Sequence, residues 1–260
     1  MMQRREFVAG SAAALMSGIA WQASPGEEGR PMRQLMELRH YSAASQAKRE
    51  LLEKFFAEAA IPAWNRMGIQ PVGVFRPIEG EDLGLWVLLP HGSPLTVVTE
   101  STRLMEDADY VKACGEILPD PFDDPAYQRI ESSLLLAFSA IPKVEVPTQA
   151  ASRILQLRIY ESHNLPMHLK KVEMFEGGGE LEIFRRVGLN PVFFGRALIG
   201  SKLPNLTYML GFDDMDAQKA AWQAFLKDPQ WTELKARPEY ANTVSNITNI
   251  LLTPSPGSQI

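Results

Sequence analysis

The sequence is poor in cysteine and has no surplus of basic charge, and each shortage excludes a class of structure or partner. Cys114 is the single cysteine in 260 residues, so the chain can form neither an internal disulfide nor a cysteine-based zinc site. A formal net charge of -5 and the lack of any Lys/Arg run argue against nucleic acid as a partner. Stability must come from packing, for which 45% hydrophobic residues suffice.

Long hydrophobic runs are also missing, and the apolar stretch nearest the N-terminus is short for a membrane span. Arg4-Arg5 precedes a weakly apolar, acid-free stretch from Ala9 to Ala20, a pattern typical of a twin-arginine export signal. We therefore expect residues 1–28 to be a signal and linker, cleaved near Ala20, and the protein to be periplasmic or otherwise extracytoplasmic. If the signal is not cleaved, it would stay as a membrane anchor. The alternative to an export signal is that Arg4-Arg5 is a chance basic pair on an amphipathic helix.

The chain resembles itself at a nearly constant spacing. The segment ELRHYS at residues 37–42 recurs as QLRIYE at residues 156–161, and MGIQPV at residues 67–72 recurs as VGLNPV at residues 187–192. A third landmark pairs Asp107 and Tyr110 with Asp228 and Trp231. Because these three pairs of segments occur in the same order and at nearly the same spacing, they predict two tandem domains, residues 33–142 and 152–260. Pro142 to Gln149 would be the linker between them.

Within each domain, periodicity and turn residues predict the order strand, helix, strand, strand, helix, strand. Gly68 and Gly188 stand where the first helix would end, and Ser93 and Asp213 or Asp214 could cap the second helix. The glycines at residues 177–179 should interrupt the first helix of the second domain. Strands are expected at residues 35–41, 72–76, 85–89, 134–141, 154–160, 192–198, 206–210 and 247–252. This is the α+β, βαββαβ order of ferredoxin-like folds.

Residues 152–260 resemble the NIPSNAP family in several segments: residues 181–191, FFG at 193–195, LPNLTYML at 203–210, and residues 221–231. The first domain keeps Leu38-Arg39, Tyr41 and Gly68 but lacks the PNLTY run and carries an insertion at residues 121–125, so it resembles a divergent copy. The resemblance implies a dimeric α+β barrel, in which two ferredoxin-like sheets face each other with helices outside. It implies no secure shared enzymatic activity.

Polar and apolar residues alternate in the first strand of each domain. Leu155, Leu157 and Ile159 should share one face, and Gln156, Arg158 and Tyr160 the other. We expect the apolar face to pack beneath the helices and the polar face to point between the two sheets.

The candidate ligand-binding residues are accordingly Arg39, Tyr41, Arg158, Tyr160 and Tyr208. An arginine can bind both oxygens of a carboxylate with its planar fork, and the tyrosines would form polar-tipped walls. The alternative is a structural network, in which Arg39 pairs with Glu37 or Arg158 pairs with Glu161.

No metal or cofactor is expected from the sequence. His163 and His168 flank Pro166 without a metal-binding spacing, and the acidic run at residues 213–216 lacks the glycine and distal glutamate of an EF-hand loop. His40 lies on the apolar strand face, where a core or rim residue is the ordinary interpretation.

Three functions remain open. The first is binding of a small apolar or anionic ligand in the barrel cleft. The second is a cofactor-independent oxygenase or isomerase, which rests on fold analogy alone, and the third is a structural or assembly role. The sequence does not decide whether the protein is an enzyme. The expected partners are a small molecule and a second copy in a homo-oligomer, unless the two domains pair within one chain as a pseudo-dimer.

Overall fold

The computed structural model describes residues 32–118 and 123–260, so the predicted signal and part of the insertion at residues 121–125 lie outside the described residues. The strands are β1 (Leu35–Ser42), β2 (Gly73–Pro77), β3 (Leu85–His91), β4 (Arg129–Ala137), β5 (Ile154–Glu161), β6 (Asn190–Ile199), β7 (Asn205–Phe212) and β8 (Asn246–Pro254). The helices are α1 (Gln46–Phe55), α2 (Ile61–Arg66), α3 (Pro94–Glu106), α4 (Ala108–Ile117), α5 (Leu165–Glu176), α6 (Glu180–Arg186), α7 (Met215–Lys227) and α8 (Pro229–Lys235). A π-helical turn, Phe56–Ala60, joins α1 to α2.

The strands form one closed antiparallel barrel in the order β1-β3-β2-β8-β5-β7-β6-β4. The first half of the chain contributes β1 to β4 and the second half β5 to β8. The halves join where β2 pairs with β8 and where β4 pairs with β6. The predicted α+β class and barrel architecture are thus confirmed. The division into two domains stays a prediction, because both halves contribute strands to a single barrel.

Helix ends follow the sequence signals. Ser93 caps α3 by accepting a hydrogen bond from the backbone of Thr96, and Asp214 caps α7 in the same way. Gly68 and Gly188 have φ values of 79° and 86°, a left-handed conformation that costs glycine little. The glycines at 177–179 separate α5 from α6, as expected.

One strand boundary is wrong. The last strand of the first half, predicted at residues 134–141, is β4 at Arg129–Ala137. Its polar start, Arg129 to Ser133, pairs with β1 at an exposed end of the barrel, where apolar side chains are not required. Ser139 instead leaves the strand and donates both its backbone and side-chain hydrogens to Glu176.

Three separate cores hold the fold together. The barrel interior is the cluster built from both halves: Met36, Leu38, Phe75, Leu88, Leu135, Ala137, Leu155, Leu157, Val192, Phe193, Met209, Leu252 and Ile260. The first helix-side core lies between the first sheet and α1 to α4, and the second lies between the second sheet and α5 to α8. Among the described residues, no helix is both long and apolar enough to cross a membrane.

The expected assignment of strand faces is therefore wrong. Leu155 and Leu157 belong to the barrel interior, whereas Tyr160 and Tyr208 belong to the second helix-side core. A closed barrel has two inner faces buried against each other, so the uniformly apolar face must turn inward. The polar face turns to the helices, whose own side chains can supply hydrogen-bond partners.

Candidate functional site

The barrel interior leaves little room for a ligand. At one mouth, His40, Trp86, Ser133, Lys202 and other residues enclose about 60 Å³, which is space for only about two water molecules. His40 forms a 2.9 Å hydrogen bond with Asp82 at this rim. Larger spaces, of about 500 and 440 Å³, lie on the helix side of the two sheets.

In the first helix-side layer, Arg39 is held by two carboxylates. Its Nε and Nη2 donate to Glu37 at 2.7 and 2.9 Å, and its Nη2 and Nη1 donate to Glu100 at 3.2 and 3.4 Å. Trp64 Nε1 donates to the same Glu100 at 2.5 Å, and Glu100 is 4% exposed. The structural network foreseen for Arg39 and Glu37 is present, so the fork of Arg39 is occupied by protein groups.

Glu37 stays ionised in this network. Burial disfavours its charge, but hydrogen bonds from His91, Arg39 and Ser132, with the charge of Arg39, lower the pKa of Glu37 to about 2. His91 is fully buried, its Nε2 lies 3.3 Å from Glu37, and its Nδ1 has no partner among the described residues. The layer next to Arg39 is thus ionic, and the charges of Arg39 and Glu37 are paired within it.

A cavity of about 500 Å³ opens beside α4 in the same half. Its described lining comes from the end of α3, from α4 and from the segment before β4: Met105, Tyr110, Val111, Cys114, Gly115, Leu118, Pro125, Ala126 and Tyr127. Tyr41 packs edge to face on Tyr127, with ring centroids 5.4 Å apart, so it lies directly behind this wall. We call this space the α4 cavity.

The described lining of the α4 cavity has few polar groups. Burial raises the pKa of Tyr110, so its hydroxyl remains protonated at any ordinary pH. Cys114 is a half-buried thiol. Among the described lining residues there is no carboxylate, imidazole or amine.

In the second helix-side layer, the strand arginine is surrounded by different groups. The Arg158 guanidinium lies over the ring of Trp222, 4.7 Å from its centroid, and 5.3 Å from that of Tyr160. Within the described part of the chain Arg158 forms no salt bridge, the predicted pair with Glu161 included, and its buried Nε has no hydrogen-bond partner. Arg158 is thus a half-buried cation held by aromatic faces.

The tyrosines of this layer form part of its packing. Tyr208 is fully buried, donates to Tyr160 Oη at 3.0 Å and stacks on Phe194. Burial raises the pKa of Tyr208 well above its usual value. Lys171 and Glu180 form a buried ion pair at 2.7 Å, in which burial raises the pKa of Glu180.

The five sequence-predicted residues do not converge on one site. Arg39 and Tyr41 lie in the first helix-side layer, and Arg158, Tyr160 and Tyr208 lie in the second. Their role in ligand binding stays a prediction. Sequence reasoning missed the α4 cavity, although the landmark at Tyr110 marked one of its walls. Among the described residues, no group of three or more His, Cys, Asp or Glu is arranged to hold a metal ion.

Comparison with known proteins finds a family match for part of the chain. The NIPSNAP family model matches residues 155–259, which confirms the resemblance of the second half. A search of curated proteins finds no match. An uncharacterized NIPSNAP-like domain protein from Burkholderia xenovorans is 22% identical over 40% of this chain and 85% of its own, with a TM-score of 0.36.

Two solved structures resemble nearly the whole chain. A protein from Lactobacillus acidophilus, named as a proposed monooxygenase, is 9% identical over 86% of this chain and 94% of its own, with a TM-score of 0.58. An anthrone oxidase-like protein is 12% identical over 88% of this chain and 95% of its own, with a TM-score of 0.51. At such identities the likeness establishes the shared fold.

Proposed function

We propose that this protein binds a small, uncharged and largely apolar molecule in the α4 cavity. The observation that carries the proposal is a space of about 500 Å³ whose described lining has no charged side chain. Small-molecule sites typically measure roughly 300 to 1,000 Å³ and are lined mainly by apolar and aromatic groups. Burying about 200 Å² of apolar ligand surface would contribute roughly 5 kcal/mol before the entropic cost of binding is subtracted.

The lining also suggests how a guest would be oriented. The protonated hydroxyl of Tyr110 can donate a hydrogen bond to a carbonyl or ether oxygen. The sulfur atoms of Met105 and Cys114 and the ring of Tyr127 provide polarizable contacts for an aromatic body. A compact aromatic compound with one acceptor oxygen therefore fits the chemistry of the cavity.

The test is a fluorescence titration with the neutral apolar probe N-phenyl-1-naphthylamine. Gly115 lines the cavity, and a Cβ at this position would have nothing within 4 Å, so Gly115→Phe can place a ring at the mouth without a backbone clash. We expect probe affinity to fall by about tenfold or more. Glu116→Phe is the matched control, because it adds the same ring to the adjacent exposed position outside the described lining. Equal affinity in the wild type and Gly115→Phe would refute the proposal.

A second candidate is oxidation of the bound molecule by dioxygen without a cofactor. It is favoured by the two full-length fold neighbours, whose names refer to oxidation. The described lining offers no carboxylate or imidazole as a base, so the substrate would have to ionise readily by itself. Oxygen uptake with anthrone in an electrode cell tests this. Uptake that Gly115→Phe abolishes would support oxidation, and uptake no faster than in buffer would leave binding alone.

We also propose that the protein is exported and that two tandem NIPSNAP-like domains, the first divergent, pair within one chain. Residues 4–20 support export through the twin-arginine pattern, and loss of the protein from the exported fraction in an Arg4→Lys, Arg5→Lys variant tests it.

The barrel closed by strands of a single chain supports internal pairing. A monomeric mass by light scattering is the expected result, and a dimer would contradict it.

A further inference from the structure

We propose that the second half holds a separate ligand site, in which Arg158 binds the carboxylate of a small organic acid. This proposal does not depend on the α4 cavity, which lies in the other half. It rests on a comparison between Arg158 and Arg39, which occupy matching places in the fold but have different surroundings.

The match in position is set by strands and helix caps. Arg39 lies in β1 and Arg158 in β5, each facing the helices of its own half. The helices packed over them, α3 and α7, begin at the caps Ser93 and Asp214. Glu100 in α3 follows the cap Ser93 by seven residues, and Ala221 in α7 follows the cap Asp214 by seven residues. The two residues therefore occupy matching positions in their helices.

Both carboxylates that neutralise Arg39 are absent from the second half. Gln156 stands where the first half has Glu37, two residues before the arginine, and Ala221 stands where it has Glu100. The Gln156 amide is neutral and already engaged, since its Oε1 accepts from Trp222 Nε1 at 2.6 Å and its Nε2 donates to Asn249 at 2.6 Å.

The charge of Arg158 is therefore left without a bonded anion among the described residues. Glu180, a buried carboxylate of the same layer, is paired with Lys171 at 2.7 Å. The buried Nε of Arg158 has no partner, and an unsatisfied buried donor costs free energy. A ligand acceptor that reached this nitrogen would remove that cost.

The aromatic neighbours of Arg158 do not satisfy its Nε–H donor. The guanidinium carbon lies 4.7 Å from the ring centroid of Trp222 and 5.3 Å from that of Tyr160, and the Nε of Arg158 bonds to no described residue. The side chain is half-buried, so solvent reaches part of it. The aromatic rings thus neighbour the cation without accepting a conventional hydrogen bond from its Nε, and a carboxylate can bind an arginine edge to edge through its N–H groups.

A carboxylate fits this site better than a phosphate. The layer offers one unpaired cation, which a monoanion neutralises, whereas a phosphate would bring excess negative charge near buried Glu180. The first half shows that the same layer accepts carboxylates against its arginine at 2.7 to 3.4 Å. In the second half, we infer, the ligand provides the carboxylate that the chain does not.

The test is a titration of the protein with sodium benzoate at constant ionic strength, followed by the indole N–H signal of Trp222 in ¹H–¹⁵N spectra. We expect a saturable shift with benzoate and none with benzamide, the uncharged analogue of the same shape. Affinity should fall at least about tenfold in Arg158→Gln. It should fall similarly in Gln156→Glu, which installs the missing carboxylate beside Arg158.

Arg185→Gln is the matched control, since it removes the same charge from the same half at an exposed ion pair with Glu145. It should bind benzoate as the wild type does. Gln156→Glu is nearly isosteric, and Asn249 can accommodate it by turning its amide, so this variant remains informative if Arg158→Gln fails to fold. No saturable shift with benzoate, or unchanged affinity in a folded Arg158→Gln or Gln156→Glu variant, would overturn the proposal. Gly115→Phe should leave benzoate binding intact, which separates this site from the α4 cavity.

Discussion

The two helix-side layers share one frame, which is the same arrangement of strands, helices and helix ends, but they differ in the side chains that this frame encloses. In each half an arginine at the end of the first helical segment, Arg66 or Arg186, pairs at 2.7 Å with the aspartate that caps the short last helix, Asp107 or Asp228. Inside that frame, the first half surrounds Arg39 with carboxylates, and the second surrounds Arg158 with aromatic rings. Helix ends and strand pairing thus fix the frame, while a few interior positions decide what it encloses.

The difference extends to packing. In the second half, Phe175, Phe184, Phe194, Tyr208 and Phe225 form a chain of rings whose neighbouring centroids lie 4.5 to 6.1 Å apart. In the first half, Tyr110 and Tyr127 border the α4 cavity. Each half borders a space on its helix side, but the space of about 440 Å³ beside α7 has Asp213 in its lining, whereas the described lining of the α4 cavity carries no charged side chain.

The strongest test of this difference makes the first half resemble the second. Glu100→Ala puts the residue of position 221 at position 100 and leaves Arg39 and Trp64 without a shared buried acceptor. We expect the free energy of unfolding in urea to fall by about 3 to 5 kcal/mol, the usual cost of removing one partner from a buried charged network. Glu100→Gln keeps an acceptor for Trp64 and should cost less. A loss below about 1 kcal/mol would mean that the first layer does not depend on its carboxylates.

A pH titration of stability gives the next largest effect. Because the native pKa of Glu37, about 2, is below its unfolded value, its ionised form stabilises the fold above about pH 4.5. That contribution, about 3 kcal/mol, is lost as pH falls through the interval from about 4.5 to 2. The stability difference between the wild type and Glu37→Gln should therefore shrink over this interval. The variant carries the side chain that the second half has at Gln156, and a constant difference would contradict the depressed pKa.

The frame could be predicted from sequence because its signals are local. The caps at Ser93 and Asp214 and the left-handed Gly68 and Gly188 depend on their immediate neighbours in the chain. The repeat then identified matching elements in both halves, and the resemblance to a known family supplied the barrel.

The site could not be predicted in the same way because its contacts are distant in sequence. Glu100 reaches Arg39 across 61 residues, and no local pattern links them. Strand alternation correctly separated Leu157 from Arg158, but it could not tell which face the helices cover. That depends on barrel closure, and the sequence offers no direct signal for the α4 cavity, which forms where α4 meets the segment before β4.

The smallest expected effect concerns the shared frame and should be slight in both halves. Arg66→Ala and Arg186→Ala each break an ion pair between a half-exposed arginine and a helix-capping aspartate. Exposed ion pairs contribute little because water and salt screen them, so each variant should show only a slight decrease in Tm. Arg66 donates two hydrogen bonds to Asp107, whereas Arg186 donates one to Asp228, so the decrease should be slightly larger for Arg66→Ala, and both decreases should diminish at high salt. A large decrease in one half alone would show that the frame itself differs, and the contrast between Arg39 and Arg158 could then no longer be assigned to interior positions.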